Sequence, residues 1–200
     1  VNAGLTVVPQ LMTRRAADFL WAARSLADMG YTEVNLNCGC PAGTVVAKGK
    51  GAGFLGDPIG LREFLDAVFE KELPIAVSIK TRLGLKSPEE FEGLVELYNL
   101  YPLARLIVHP RIRSDFYKGD ARRGVLLAVM GDIRAPLGVN GDIVTPADIA
   151  QVAQSFSTSP AGLAEIMVGR ALMADPALFR KARGGAPATA ATTSSWPCTA

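Results

Sequence analysis

The chain has 200 residues, 49% apolar and 20% charged, with a formal net charge of +2. These values suit a globular domain with a substantial core, and they allow an acidic partner such as RNA without demanding one. No apolar run reaches the roughly 18 residues that span a bilayer, and three cysteines make no disulfide framework, so a cytoplasmic protein without a membrane partner is expected.

The first residues, "VNAGLTVV", show neither a methionine nor a leader, so the chain reads as cut from something longer. The run "LTVVPQL" near 5–11 predicts a first strand. "RRAADFLWAARSLADMG" follows with helical spacing, placing Ala17, Leu20, Ala23 and Leu26 on one face and stopping at Gly30. "EVNLNC" at 33–38 predicts a second strand, and after it comes the longest connection, "AGTVVAKGKGAGFLGDP", with five glycines. That glycine content suits either plain turns or a mobile loop over a ligand. "IAVSIKT" at 75–81 predicts the third strand. "SPEEFEGLVELYNLY" then reads as a helix with Ser87 as N-cap, Pro88 first and Glu90 third, a capping box. "LIVHPR" at 106–111 and "PLGVNGD" at 136–142 predict two further strands. "TPADIAQVAQSF" repeats the capping pattern with Thr145, Pro146 and Asp148, and "EIMVGR" at 165–170 predicts the sixth strand. Residues 184–200 are small and polar with no period, a tail expected to be disordered behind a domain spanning 1–183.

Alternating strands and helices joined by short links argue for parallel βαβ units. No G-x-G-x-x-G follows the first strand, so the nucleotide fingerprint of an open doubly wound sheet is missing. The strand ends decide more. They carry Gln10, then Asn37 and Cys40, Lys80 and Arg82, His109 and Arg111, Asn140 and Asp142, Gly169 and Arg170. A barrel gathers all its strand C-termini at one mouth, where these groups would meet a single ligand. The predicted fold class is therefore α/β, an incomplete TIM (β/α)8-type barrel of about six βα units, with two of the usual eight, the first two, missing.

Each candidate residue has an ordinary alternative. Cys38 and Cys40 as zinc ligands would need two more donors, and the chain offers one histidine and a distant Cys198. A redox dithiol normally takes C-x-x-C spacing. Cys38 continues the strand alternation of Val34 and Leu36 and reads as a core residue, whereas Cys40 falls in the loop between Gly39 and Pro41. The basic clusters Arg14-Arg15, Lys48 with Lys50, and Arg122-Arg123 read as solvated faces. Lys80 at a strand end is costly unless it meets an anion, an electron-rich ring or a salt-bridge partner. His109 aligns with Lys80 one strand later. Asn140-Gly141 and Gly169-Arg170 end the last two strands, where barrels commonly cradle a phosphate.

In this order and spacing, "NLNCGCPAGTVVAKGKGAGFLGDP", "SIKTRLG", "LIVHPRIRSDFYKGDA", "PLGVNGDI" and "IMVGRALMADPALF" resemble the tRNA-dihydrouridine synthases. The resemblance runs from about residue 5 to 182. It implies an FMN-binding TIM barrel that reduces uridine in tRNA to 5,6-dihydrouridine, with NADPH re-reducing the flavin and the target base flipped into the mouth. It implies Cys40 as general acid, since an ordinary thiol, with a pKa of about 8.5, keeps its proton at neutral pH. By the same resemblance Asn37 would bind the uracil edge, and Lys80 would stand by the flavin ring. Gln10 and His109 would contact flavin, while Asn140, Gly141, Gly169 and Arg170 would form the FMN phosphate and ribityl site. Arg82 and Arg111 fit flavin support or tRNA backbone contact. The family's A-P-M-type opening strand and its helical C-terminal domain have no counterpart here, which makes the chain resemble a truncated member. Two alternatives remain open: an FMN barrel reducing free pyrimidines, like the dihydroorotate dehydrogenases, and a non-catalytic remnant.

Overall fold

The computed structural model describes residues 4–186. Six strands, β1 (Gln10–Leu11), β2 (Glu33–Cys38), β3 (Ala76–Gly84), β4 (Leu106–Ile112), β5 (Leu137–Asn140) and β6 (Leu163–Met167), form one sheet in chain order. Every neighbouring pair is parallel. The connections hold α1 (Ala16–Asp28), α2 (Gly43–Val46), α3 (Pro58–Phe69), α4 (Glu90–Tyr98), α5 (Arg123–Val129) and α6 (Pro146–Ser155). Two short helices, α7 (Arg170–Ala174) and α8 (Leu178–Ala182), follow β6. Among the described residues no helix is long and apolar enough to cross a membrane.

The period of two along each strand separates packing from chemistry. Val34, Leu36 and Cys38 of β2, with Val77, Ile79 and Leu83 of β3, join Phe19, Leu61, Phe64 and Leu94 from the helices in one hydrophobic core. The alternate residues, Asn35, Ser78, Lys80, Arg82 and His109 among them, point to the opposite face of the sheet. That face is concave. Arg105, just before β4, pairs with Glu33 of β2 at 2.5 Å and with Glu165 of β6 at 2.6 Å. In a flat sheet those strands would lie about 19 Å apart at ~4.8 Å per strand, beyond the reach of one guanidinium. The α/β fold is thus an incomplete barrel, as expected.

Several local expectations change. The first strand is two residues long, because Pro9 offers no N–H and only Gln10 and Leu11 are in register with β2. The buried face of α1 is Phe19 and Ala23, flanked by the half-buried Ala16, Leu26 and Ala27, whereas Ala17 is exposed. The Thr145–Asp148 capping box forms as read: Asp148 N donates to Thr145 Oγ1 at 3.1 Å and Thr145 N to Asp148 Oδ2 at 2.8 Å. At α4 only half of the box forms, with Glu90 accepting from the backbone N–H of Leu85, Lys86 and Ser87. The glycine-rich connection is a packed element. Its Phe54 stacks edge-to-face on Phe64 at 5.5 Å, and Arg14 ties its end through Asp57 at 3.0 Å. Most of the expected tail, from residue 187 onward, lies outside the described residues.

Candidate active site

The strand C-termini converge on one cavity of about 640 Å³. Gln10, Asn37, Cys40, Lys80, Arg82, His109, Asn140, Gly141, Gly169 and Arg170 all line it. Arg111, alone of the residues singled out from the sequence, stands behind the wall. Gln10 and Gly169, from opposite ends of the strand order, share this cavity because the sheet curls.

Cys40 sits at the wall on a turn held from below. Asn37 Oδ1 accepts from the backbone N–H of Gly39 at 3.0 Å and of Cys40 at 2.9 Å. Asn37 Nδ2 donates to Gln10 Oε1 at 2.7 Å. From the other side, Gly51 lies so close that a Cβ there would stand 2.8 Å from Cys40 O and 2.9 Å from Cys40 Cβ. Cys38, two residues earlier, is fully buried, and burial pushes its thiol up to about 12. The two cysteines are therefore separated, Cys38 in the core at the end of β2 and Cys40 past the strand at the cavity.

Lys80 projects from β3 beside Asn37, its register partner on β2. Burial, reinforced by the positive charge of Arg82, brings its ammonium down to about 8. It forms no hydrogen bond or ion pair among the described residues. His109 is brought down to about 3 by burial and by the charges of Arg82, Lys80 and Arg111, so it is neutral at any physiological pH. Its Nε2 lies 3.0 Å from Arg111 Nη1. Arginine only donates, so Nε2 accepts and the ring proton rests on Nδ1. Gly141 packs against this ring, where a Cβ would come within 2.9 Å of Cδ2.

Arg82 and Arg111 are 1% and 2% exposed. Both guanidinium groups turn to partners within the chain. Arg82 donates from Nε to Gly39 O at 2.8 Å, from Nη1 to Ile112 O at 3.0 Å and from Nη2 to Phe116 O at 2.9 Å. It thereby joins the Cys40 turn, the end of β4 and the loop after it. Arg111 donates to Lys118 O at 3.2 Å, to Gly119 O, and to Asp142 Oδ2 at 2.6 Å. Burial opposes ionisation of Asp142, but the Ala121 amide and Arg111 outweigh it and hold the carboxyl below its ordinary range.

Asp142, read from the sequence as a strand-end polar residue, ties the β5 end to Arg111 and to the Ala121 amide. Tyr117 was missed: it covers the cavity between two guanidinium groups, 4.8 Å from Arg170 and 5.6 Å from Arg82. It belongs to no periodic element, and its only signal was its place in the loop after a strand. Arg170 is two-thirds exposed and Asn140 Nδ2 donates to Met167 O at 2.7 Å.

A family model described as dihydrouridine synthase (Dus) matches residues 2–196. A probable tRNA-dihydrouridine synthase of Staphylococcus epidermidis is 34% identical over 161 residues, covering 78% of this chain and 47% of that protein. One from Staphylococcus aureus is 33% identical over the same length, with the same coverage. A third, from Rhodobacter capsulatus, is 31% identical over 194 residues, 91% of this chain and 57% of its own. The chain thus spans about half the length of the curated relatives it matches. With a curled parallel sheet, a cysteine on a braced turn and a free lysine at one mouth, the chain belongs to the dihydrouridine synthase (Dus) family.

Proposed function

We propose that this chain carries the catalytic mouth for reducing uridine in tRNA to 5,6-dihydrouridine, with FMN as cofactor and NADPH as the diffusible reductant. The observation that carries this reading is the pairing of an unpartnered cation, Lys80, with an accessible thiol, Cys40, in one cavity of about 640 Å³. That volume lies within the range of cofactor sites. A buried ammonium without a counter-ion is costly, and an anionic group in the cavity relieves the cost. The residues therefore fit a flavin mononucleotide. Asn140, Gly141, Gly169 and the exposed Arg170 would hold its phosphate and ribityl chain, with Gln10, Lys80 and His109 along its ring.

FMN held there would supply hydride chemistry at C6 of uracil. Cys40 supplies the proton, passing it from Sγ to C5 and regaining one from solvent. Lys80, buried at the mouth, would offset negative charge on the reduced flavin ring. Asn37 has no acceptor to spare, since Oδ1 already takes two backbone N–H groups. Its remaining amide hydrogen leaves it a donor to a uracil carbonyl. Neutral His109 likewise offers the cavity its Nδ1–H. Arg82 and Arg111, with their donors on backbone carbonyls, hold the loops around the mouth.

The test is a visible absorbance titration of the purified chain with FMN, followed by NADPH and unmodified tRNA. Saturable binding, bleaching by NADPH and recovery of colour with tRNA are expected. A protein that stays colourless in excess FMN would sink the cofactor assignment, and recovery with free uridine but not tRNA would replace the substrate.

A further inference from the structure

The turn that presents Cys40 is the end of a longer chain of hydrogen bonds. Backbone N–H groups of Gly39 and Cys40 donate to Asn37 Oδ1. Asn37 Nδ2 donates to Gln10 Oε1, and Gln10 Nε2 donates to Asn35 Oδ1 at 2.8 Å. Asn35 Nδ2 then donates to Ser78 Oγ at 2.8 Å. The chain has one possible direction. A backbone N–H cannot accept, so Asn37 must present oxygen to it and nitrogen to Gln10, and each following amide is turned by the one before. Asn35 is 3% exposed and Ser78 is fully buried, in a layer that crosses β1, β2 and β3. The Asn35–Ser78 end is therefore buried and anchors the chain, while Gln10, at its middle, is exposed to the mouth.

We propose that Asn35, which is buried beneath the cavity and does not line it, is a positioning residue for Cys40. It fixes the Gln10 amide, the Gln10 amide fixes Asn37, and Asn37 fixes the turn that carries the thiol. The same chain leaves Asn37 with only an N–H group to offer the cavity, so this residue recognises an acceptor atom such as a ring carbonyl oxygen. The catalytic consequence rests on the proposed role of Cys40; the mechanical one does not.

Asn35→Leu removes both of its hydrogen bonds at similar volume. Amide hydrogen exchange measured by NMR on this variant is expected to speed up about fivefold at Gly39 and Cys40, one hydrogen bond's worth, while Leu36 in mid-strand holds. Alkylation of Cys40 by iodoacetamide, followed on its peptide by mass spectrometry, changes in parallel, and buried Cys38 stays unreacted. Asn35→Asp should restore wild-type behaviour, because a carboxylate can accept from both Gln10 and the Ser78 hydroxyl. With reduced FMN bound, Asn35→Leu is expected to lower the single-turnover rate with tRNA about tenfold at unchanged KM, again rescued by Asp. Should Asn35→Leu fail to fold, Ser78→Ala removes the terminal acceptor alone and is expected to quicken the same two amides. A folded variant with unchanged exchange and alkylation at Cys40 overturns the relay. If instead the relay variants respond as stated but Cys40→Ala still makes dihydrouridine, the assignment of the acid fails and the relay stands.

Discussion

Lys80 sets the electrostatics of the mouth, and its shift has a definite sign. The ammonium is lowered from 10.5 to about 8, so folding favours its neutral form. Its charge therefore costs stability below pH about 8, and that cost is relieved as pH rises from there toward 10.5. Lys80→Met should raise stability at pH 7 by on the order of 1–3 kcal/mol while weakening FMN binding at least tenfold. Chemical denaturation and a flavin titration on the same preparation check both halves. In the wild-type chain FMN affinity should fall as pH passes about 8, and in Lys80→Met it should stay flat across that window. Chain position alone pointed to Lys80 and Cys40, since both stand at strand ends. The burial of Arg82 and Arg111 was not legible in this way, because their carbonyl partners belong to turns whose paths no periodicity reveals.

Among the elements, the connection between β2 and α3 departs most from its sequence. Five glycines suggested turns or mobility, yet Ala52, Phe54 and Leu55 are buried and Gly51 supports the Cys40 turn. The glycines are there for close approach as much as for bending. Gly51 has φ +55° and no room for a Cβ. Gly51→Ala should cost about 1–3 kcal/mol and displace Cys40, seen as a lower melting temperature with an altered alkylation rate. A variant as stable as wild type with unchanged thiol reactivity would show that this contact is slack. The strands were the easiest elements to read: EVNLNC coincides with β2, and its apolar residues alternate with polar ones on the opposite face throughout. The face of α1 was read only in part: Ala23 and Leu26 meet the core, but Phe19 and not Ala17 completes it. Only packing against Phe64, 5.6 Å from Phe19, selects between them.

At the scale of the molecule, the curled sheet keeps two open edges among its described residues, β1 and β6. Beside β1 the surface is apolar: Trp21 is 72% exposed and lies with Leu11, Met12 and Ala17 around a shallow groove. Open edges and exposed apolar patches favour association. Trp21→Glu should lower the concentration-dependent mass measured by light scattering and leave the melting temperature within about 2 °C. An unchanged mass would mean that this patch takes no part in association. Barrel curvature was foreseeable from the strand ends, since only a barrel gives so many polar residues one destination. The Arg105 bridge from β2 to β6 was not, because Glu33 and Glu165 are far apart in the chain and carry no motif.

The central claim is that Cys40 protonates a uracil base reduced in this cavity. The most direct measurement is single-turnover oxidation of the FMN-loaded, pre-reduced chain by unmodified tRNA, comparing wild type with Cys40→Ala. Both proteins should bind FMN, and Cys40→Ala should form dihydrouridine at least about 100-fold more slowly, the usual contribution of a general acid. Equal rates in the two proteins would contradict it.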